Sequence, residues 1–312
     1  MKLASIDIGT NSTRLLIVEK EKDKLKPILK KNYVTRLGEG LIKENILSEN
    51  AIERTLKVLK EFKEDLKKYN VDKYICACTE AVRRAKNKDE FLKKVENLGF
   101  KIEILPDYME AKLIYIANLK EFKKDKLLTI DLGGGSTEVV CGYKENIEFL
   151  KSLKIGIVTL YEKFIDKELE KKGAPYEKRE DIKNLENFLR DFLKKEIPLK
   201  SLKEYFPISV GGTITSIVTM KKKLTEYKEE LVHGEKVYLK DFKYFCKILC
   251  EIPLEKRKNI LGLHPKRADV ILPGICFYKV FCELFNLDFI VASEKSLLWG
   301  LIYYLLEREN KN

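Results

Sequence analysis

An eight-residue segment occurs twice in this chain, and this repetition constrains the fold more than any other feature. The copies, Asp7–Arg14 and Asp131–Glu138, align without gaps and share Asp, Gly, Ser and Thr at matching places. Apolar runs precede and follow each glycine turn, a pattern that predicts two strands joined by that turn. Two copies more than 100 residues apart differ from a solenoid repeat. We therefore expect two similar α/β domains, made by duplication, each offering one loop.

The hydrophobic pattern predicts similar elements around each copy. In the first half, we expect strands at 3–8, 13–20, within 24–36, 74–79 and 101–105, a helix capped by Ser48, a helix at 80–86, and a helix capped by Asp107. In the second half, we expect strands at 127–132, 138–143, 146–155, 206–210 and 289–292, and helices at 157–170, 178–196, after Gly211, from Pro265 to about 286, and at 295–308. The charged stretch 118–126 is the expected domain boundary.

The composition favours an anionic ligand. The formal net charge is +12 and the sequence pI is about 9.1, so the surface attracts nucleic acid, polyphosphate, nucleotides or acidic lipid. A Lys/Glu-rich thermophile surface is the alternative interpretation of the same charge. Seven Cys with apolar neighbours and no zinc-ribbon spacing indicate buried thiols in a reducing cytoplasm. No apolar stretch is long enough to span a bilayer, and the N-terminal apolar run is too short for a signal peptide.

The repeated loops have the chemistry of a phosphate site. Glycines let backbone N–H groups approach a phosphate, and Ser and Thr hydroxyls add neutral donors. An Asp at the end of a strand can hold a magnesium ion, which prefers oxygen ligands. A single glycine run is more often a hairpin turn, but two matched copies favour phosphate binding. A third glycine site, Gly211-Gly212-Thr213, begins a predicted helix and is either an anion site or a tight turn.

These segments resemble the phosphate loops of the actin-like ATPase superfamily, and more closely those of the exopolyphosphatase/guanosine pentaphosphate phosphatase (Ppx/GppA) family. Four further segments share the resemblance, which extends over nearly the whole chain: Thr79-Glu-Ala-Val-Arg83, Met109-Glu110-Ala-Lys-Leu, Ile155-Gly156 and Arg267-Ala-Asp-Val-Ile-Leu-Pro-Gly274. The resemblance implies two duplicated ribonuclease-H-like (actin-like ATPase) domains with an interdomain cleft. The expected domains are 1–122, with the C-terminal helix 295–312 packing back on it, and 123–294.

The resemblance also implies a role for each matching residue. Glu110 would activate the attacking water, and Arg83 would lie near the attacked phosphate. Asp131, Glu138 and Asp7 would organise Mg²⁺ or another divalent cation. The phosphate-binding residues it implies are Gly9, Asn11, Ser12, Gly133, Gly134, Ser136, Thr137, Gly211 and Gly212. At the matched last position of the two loops, Arg14 stands opposite in charge to Glu138, which favours a cleft with one basic and one acidic wall.

The implied activity is release of terminal orthophosphate from inorganic polyphosphate, from guanosine pentaphosphate (pppGpp to ppGpp), or from both. The chain departs from the family where Leu298 and Trp299 replace a usual Arg and Glu, which puts any substrate contact of that segment in doubt. Two alternatives stay open: an ATP-binding kinase or ATPase of the same superfamily, and a non-catalytic sensor of polyphosphate or alarmone. Neither a membrane nor nucleic acid is an expected partner, and a homodimer is left open.

Overall fold

A computed structural model describes residues 1–22, 24–199 and 201–309; the side chains of 42 and 43 are outside this description. The chain divides into two compact units. The first comprises Met1–Ala117, Gly133–Gly135 and Lys295–Asn312, and the second comprises Asn118–Leu132 and Ser136–Glu294. The last three residues of the expected C-terminal segment, 310–312, lie outside the described residues.

The described residues form both strands and helices. The strands are β1 Lys2–Ile8, β2 Thr13–Glu21, β3 Lys24–Tyr33, β4 Lys73–Cys78, β5 Ile102–Ile104, β6 Lys126–Leu132, β7 Thr137–Tyr143, β8 Asn146–Leu153, β9 Phe206–Val210, β10 Lys236–Tyr238 and β11 Phe289–Ser293. The helices are α1 Leu41–Glu44, α2 Glu49–Lys68, α3 Glu80–Arg84, α4 Lys88–Asn97, α5 Asp107–Phe122, α6 Ile157–Phe164, α7 Lys167–Lys172, α8 Glu180–Glu196, α9 Gly212–Lys222, α10 Leu239–Glu251, α11 Leu254–Arg257, α12 Ile271–Phe285 and α13 Leu297–Glu309. Short 3₁₀ turns lie at Tyr176–Lys178, Glu229–Leu231 and Pro265–Arg267.

Each unit contains one mixed sheet, and the first strands of the two sheets are arranged in the same way. Over the described residues, the strand order is β3-β2-β1-β4-β5 in the first sheet and β10-β11-β9-β6-β7-β8 in the second. In both, an antiparallel meander (β1-β2-β3 or β6-β7-β8) adjoins a parallel strand, β4 or β9. The expected meanders and the two-sheet α/β class are therefore confirmed.

The long helix of the first unit follows the predicted pattern. The Ser48 hydroxyl accepts a hydrogen bond from the Ala51 amide at 3.3 Å and caps α2, as expected. Ile52, Leu59 and Phe62 are fully buried in the core of this unit. The sequence did not predict α4 or α10, although both bury an apolar stripe.

Two of the predicted helix starts were wrong. Asp107 is the first residue of α5 and not its cap, because the amides of Met109 and Glu110 donate to the carbonyl of Pro106 at 3.0 and 3.1 Å. The helix predicted from Pro265 begins only at Ile271. Pro273 explains the late start: proline is tolerated in the first turn of a helix, where its missing N–H has no intrahelical acceptor, but not in the interior.

The helix predicted at 157–170 is broken in two. α6 ends at Phe164, and Asp166 caps α7 by accepting from the amides of Glu168 and Leu169 at 2.8 and 3.1 Å. Asp166 is in extended conformation, so the chain leaves the helix before re-entering it. Aspartate favours this capping position over a helix interior because its carboxylate satisfies free amides there.

The C-terminal departure from the family pattern has a packing explanation. Leu298 and Trp299 are almost completely buried, in an apolar cluster with Leu3, Leu16, Val18, Ala117 and Ile302. The Leu298 carbonyl accepts from the Ser5 hydroxyl of β1 at 2.8 Å. In this chain the two positions therefore help to fix α13 against the first sheet.

All seven cysteines fall within the described residues and are buried free thiols. Burial raises the pKa of Cys78 to about 12 and that of Cys141 to about 11, which keeps both protonated and unreactive at neutral pH. Across the described residues, no helix combines the length and the apolar character that a bilayer crossing requires.

Candidate functional site

The first glycine loop holds buried donors that lack protein partners. The loop is closed by the Gly9 amide, which donates to the Ser12 carbonyl at 2.9 Å, and the Arg36 amide braces it by donating to the Asn11 carbonyl at 3.0 Å. The Asn11 side-chain amide nitrogen and the Ser12 hydroxyl are buried and have no hydrogen-bond partner among the described residues. Buried polar atoms in this state are costly unless a ligand or water satisfies them.

The second glycine loop approaches the first closely. Gly133–Gly135 belongs to the first unit. A Cβ on Gly134 would lie 3.0 Å from the Thr10 Cβ and 3.2 Å from the Asn11 amide nitrogen, and one on Gly135 would lie 3.1 Å from the Glu80 Cγ. A Cβ at these separations would be tighter than usual, so glycine eases the close approach of the two loops.

Arg83 is the centre of a group of carboxylates in the first unit. Its Nη1 donates to Glu110 at 3.1 Å and to the Leu105 carbonyl at 2.5 Å, and its Nη2 donates to Glu80 at 3.2 Å. Its Nε pairs with Asp107 at 2.7 Å. Burial alone would lower the pKa of Arg83, but the charges of Glu110 and Asp107 outweigh it and raise that pKa. Arg83 thus stays charged beside Glu110.

The two copies of the repeated segment differ in charge at one register position. In the first sheet Asp7 lies opposite Arg14, and the Arg14 Nε donates to the Asp7 Oδ2 at 2.8 Å. In the second sheet Asp131 lies opposite Glu138, so two buried carboxylates face each other. The Ser152 hydroxyl donates to Glu138 at 2.8 Å. Like charges directly opposite on a sheet repel unless a cation or donors intervene.

Other predicted site residues of the second unit lie at the same edge of its sheet. Gly211 follows β9 with a φ of +95°, and a Cβ there would lie 3.1 Å from the Asp131 Oδ1. Ser136 is buried. Thr137 is fully buried and its hydroxyl donates to the Ile155 carbonyl at 2.7 Å, so that hydroxyl proton is already used inside the fold.

Three polar residues of the site were missing from the sequence-based assignment. Glu80 and Asp107 contact Arg83, and the Arg267 guanidinium lies against Gly212, where a Cβ would overlap it. Glu80 lies one helical turn before Arg83, a spacing that could have suggested the pair. The Arg267–Gly212 contact joins residues 55 positions apart and leaves no local signal.

One further group has metal-ligand spacing but a different role. Among the described residues, ligand atoms of Glu186, Cys246 and Cys276 lie within 4.8 Å of one another. Lys279 already pairs with both Glu186 oxygens, at 2.7 and 2.8 Å, and also bonds Tyr176 at 2.7 Å. This buried ion pair neutralises the carboxylate, and we interpret the group as structural.

Comparison with known proteins identifies the family. A sequence profile described as the Ppx/GppA phosphatase family matches residues 16–309. The chain belongs to this family. The crystal structure of the Aquifex aeolicus member of the Ppx/GppA protein family is 32% identical, covers 99% of each chain and has a TM-score of 0.81. The resemblance inferred from the glycine loops and from Glu110 is thereby confirmed.

Two curated relatives of this Ppx/GppA chain carry phosphatase names. A bifunctional 3-dehydroquinate synthase/phosphatase of Fusobacterium nucleatum subsp. nucleatum is 37% identical over 96% of this chain and 46% of its own length. The chain therefore spans about half of that protein. Exopolyphosphatase 2 of Mycobacterium tuberculosis is 26% identical over 96% of this chain and 97% of its own length. Family membership supports a phosphohydrolase and leaves the substrate undecided.

Proposed function

We propose that this protein releases terminal orthophosphate from inorganic polyphosphate, guanosine pentaphosphate or both, with Mg²⁺ or another divalent cation. The observation that carries the proposal is the pair of buried donors in the first glycine loop, Asn11 Nδ2 and Ser12 Oγ, which have no hydrogen-bond partner among the described residues. They lie in the same unit as the Arg83–Glu110 pair. A site that leaves neutral donors unsatisfied suits an anionic ligand. Phosphate oxygens are strong acceptors for such donors and for backbone amides.

The glycine loops would bind the phosphates. Asn11 and Ser12 would donate to phosphate oxygens, together with amides of Gly9, Gly133 and Gly134. In the second unit, Gly211, Gly212 and Ser136 would be the phosphate contacts. Thr137 would support its loop through the Ile155 carbonyl and not through a phosphate.

Glu110 would accept the proton of the attacking water. It is a buried carboxylate whose position is fixed by Arg83, and Arg83 is fixed in turn by Asp107, Glu80 and the Leu105 carbonyl. An ionised, oriented carboxylate is what a general base requires. In-line attack on phosphorus needs little more of the protein than positioning and charge stabilisation.

The residues present fit a hard divalent cation. Asp131 and Glu138 place two carboxylates at adjacent positions of the second sheet, and oxygen donors suit Mg²⁺. Asp7, in the first unit, has one oxygen bound to Arg14, while its Oδ1 is buried and has no partner in the described parts of the chain, and such an oxygen also suits a hard cation or its water. A bound cation would spread the charge that develops on the transferred phosphoryl group.

The decisive experiment measures orthophosphate release with Mg²⁺ from long-chain polyphosphate, guanosine pentaphosphate and ATP. Glu110→Gln keeps the size of the side chain and removes its basicity, so we expect kcat to fall about 10²- to 10⁴-fold with KM little changed. Glu64→Gln, an exposed position on α2, is the matched control.

Release from polyphosphate or guanosine pentaphosphate that is lost in Glu110→Gln supports both the reaction and the assignment. Turnover of ATP alone would indicate a kinase or ATPase instead. Binding without any release would indicate a sensor. A Glu110→Gln variant as active as wild type would overturn the assignment of the base.

A further inference from the structure

Tyr227 combines an exposed ring with an anchored hydroxyl. Its side chain is 54% exposed, although its hydroxyl donates to the carboxylate of Glu294, which is buried. An exposed aromatic ring with a fixed end is pre-oriented for a flat ligand, because little conformational freedom remains to be lost on binding.

This tyrosine lies close to the third glycine loop of the second unit. Glu294 directly follows β11, which runs parallel to β9 with Ser293 opposite Val210, and β9 leads into Gly211. The Thr215 hydroxyl interacts with Tyr227 and also bonds the Gly211 carbonyl at 3.3 Å. The Tyr227 hydroxyl is therefore about one helical turn from Gly211, the residue that precedes α9.

Glu294, which binds the Tyr227 hydroxyl, is itself fixed by His233, and His233 contacts two further residues. The Glu294 amide donates to the His233 Nδ1 at 3.1 Å, and the other ring nitrogen of His233 lies 3.1 Å from Glu121. His233 also packs on Phe122, with ring centroids 5.2 Å apart. Both neighbours belong to the second unit, so the end of β11 beneath Tyr227 is fixed by side chains of its own unit.

The charges around Tyr227 suit a neutral group better than a phosphate chain. Burial of the hydroxyl raises the pKa of Tyr227, and the nearby carboxylates of Glu294 and Glu229 raise it further. Carboxylates beside the hydroxyl repel additional phosphates, whereas the base of a nucleoside carries no charge. A polyphosphate chain continuing past the glycine loop would bring charge to these carboxylates. The base of guanosine pentaphosphate is neutral, and its 3′-diphosphate is attached to the sugar and not to the base that would face the ring.

We propose that Tyr227 stacks against the purine base of a nucleoside polyphosphate whose phosphates lie on the Gly211-Gly212 loop. This inference rests on the proposed function and narrows it, because it favours guanosine pentaphosphate over inorganic polyphosphate. Base–aromatic stacking stabilises a bound base, so we expect loss of the ring to reduce the preference for guanosine pentaphosphate about tenfold.

The test compares Tyr227→Ala, Tyr227→Phe and Tyr244→Ala. Tyr244 is similarly exposed, on α10. For each variant, kcat/KM is measured for guanosine pentaphosphate and for long-chain polyphosphate. We expect kcat/KM for guanosine pentaphosphate, divided by kcat/KM for polyphosphate, to fall about tenfold in Tyr227→Ala. This ratio should be largely retained in Tyr227→Phe, which keeps the ring, and unaffected in Tyr244→Ala.

An unchanged ratio in Tyr227→Ala, or a loss that Tyr227→Phe shares in full, would overturn the stacking role while leaving phosphate release standing. Should the wild type release no phosphate, the proposed function fails, and calorimetric Kd values for the same two ligands still decide the role of Tyr227. In that case, weaker guanosine pentaphosphate binding relative to polyphosphate binding in Tyr227→Ala supports stacking, and equal weakening contradicts it.

Discussion

Asp131 lies directly opposite Glu138 in the register of β6 and β7, and both carboxylates are buried. The same register position of the first sheet holds Asp7 and Arg14, which form an ion pair. Duplication has thus produced two loops with the same backbone pattern and different charge. At this position the first sheet carries an ion pair, and the second carries two acidic side chains.

Glu138→Gln should weaken magnesium binding. One of two facing carboxylates becomes neutral, so less charge favours the cation. We expect the Mg²⁺ concentration for half-maximal activity to rise about tenfold or more, equivalent to about 1.4 kcal/mol. The stabilisation of the fold by Mg²⁺ in thermal unfolding should shrink in parallel. Glu145→Gln, in the exposed turn after β7, is the control. Identical Mg²⁺ titrations for wild type and Glu138→Gln would contradict the assignment.

Arg83→Lys should impair activity strongly although lysine keeps the positive charge. A lysine ammonium is a point charge and cannot reproduce the contacts of a guanidinium with Glu110, Glu80 and Asp107 together. We expect kcat to fall about 10²-fold, comparable with the loss of one preorganised donor. Asp107→Asn removes one partially exposed partner, so its effect should stay within about fivefold. If Asp107→Asn is the more damaging change, Arg83 is not the centre of the group.

Most helices and strands could be predicted from the sequence because each depends on residues close to it along the chain. The repeated loops, the meanders and the Ser48 cap depend on neighbouring residues, and all three are present in the structure. The errors at Asp107 and Pro265 arose where a second residue decides the helix start: the Pro106 carbonyl in one case and Pro273 in the other. Such competition between nearby starts is poorly resolved by periodicity alone.

The residues of the candidate site could be predicted from the sequence only in part. Glu110 is an ordinary helix glutamate by pattern, and family resemblance alone singled it out. Its fixed position depends on Arg83, 27 residues earlier. Tyr227 carries no motif of its own, and Arg267 lies in a segment that shares the family resemblance but had no assigned role. The contacts of these residues with Glu294 and with Gly212 exist only in the folded chain.

Gly300→Ala should destabilise the first unit. A Cβ there would lie 2.5 Å from the Leu113 carbonyl oxygen and 2.7 Å from its carbon, both backbone atoms that cannot move aside. We expect a loss of about 1–3 kcal/mol in the free energy of unfolding, the usual cost of overpacking. Gly234→Ala is a comparison without a clash, since nothing lies within 4 Å, and only its φ of +83° costs about 1–2 kcal/mol. Denaturant unfolding measures both, and tolerance of Gly300→Ala would contradict the close packing of α13 on α5.

Asp181→Asn should make the free energy of unfolding less dependent on pH in the acidic range. Burial alone would raise the pKa of Asp181, but bonds from the buried Arg179 guanidinium, at 2.7 and 2.8 Å, and from the Asp166 amide hold that pKa below its ordinary value of 3.8. The ionised form is therefore favoured by folding. Its contribution is fully present above the ordinary pKa and is lost as the pH falls through the lowered one.

At pH 7 we expect Asp181→Asn to lower the free energy of unfolding by about 3–5 kcal/mol, because Arg179 is left buried with its nearest partner uncharged. The difference in free energy of unfolding between the variant and wild type should narrow below about pH 4. Wild type then loses the stabilisation by ionised Asp181 that the variant lacks at every pH. Urea unfolding at pH 7, 5, 4 and 3 measures this gap. Glu180→Gln, the exposed neighbour on α8, should show no such trend. A gap that stays constant down to pH 3 would mean that Asp181 stabilises the fold by its shape and hydrogen bonds and not by its charge.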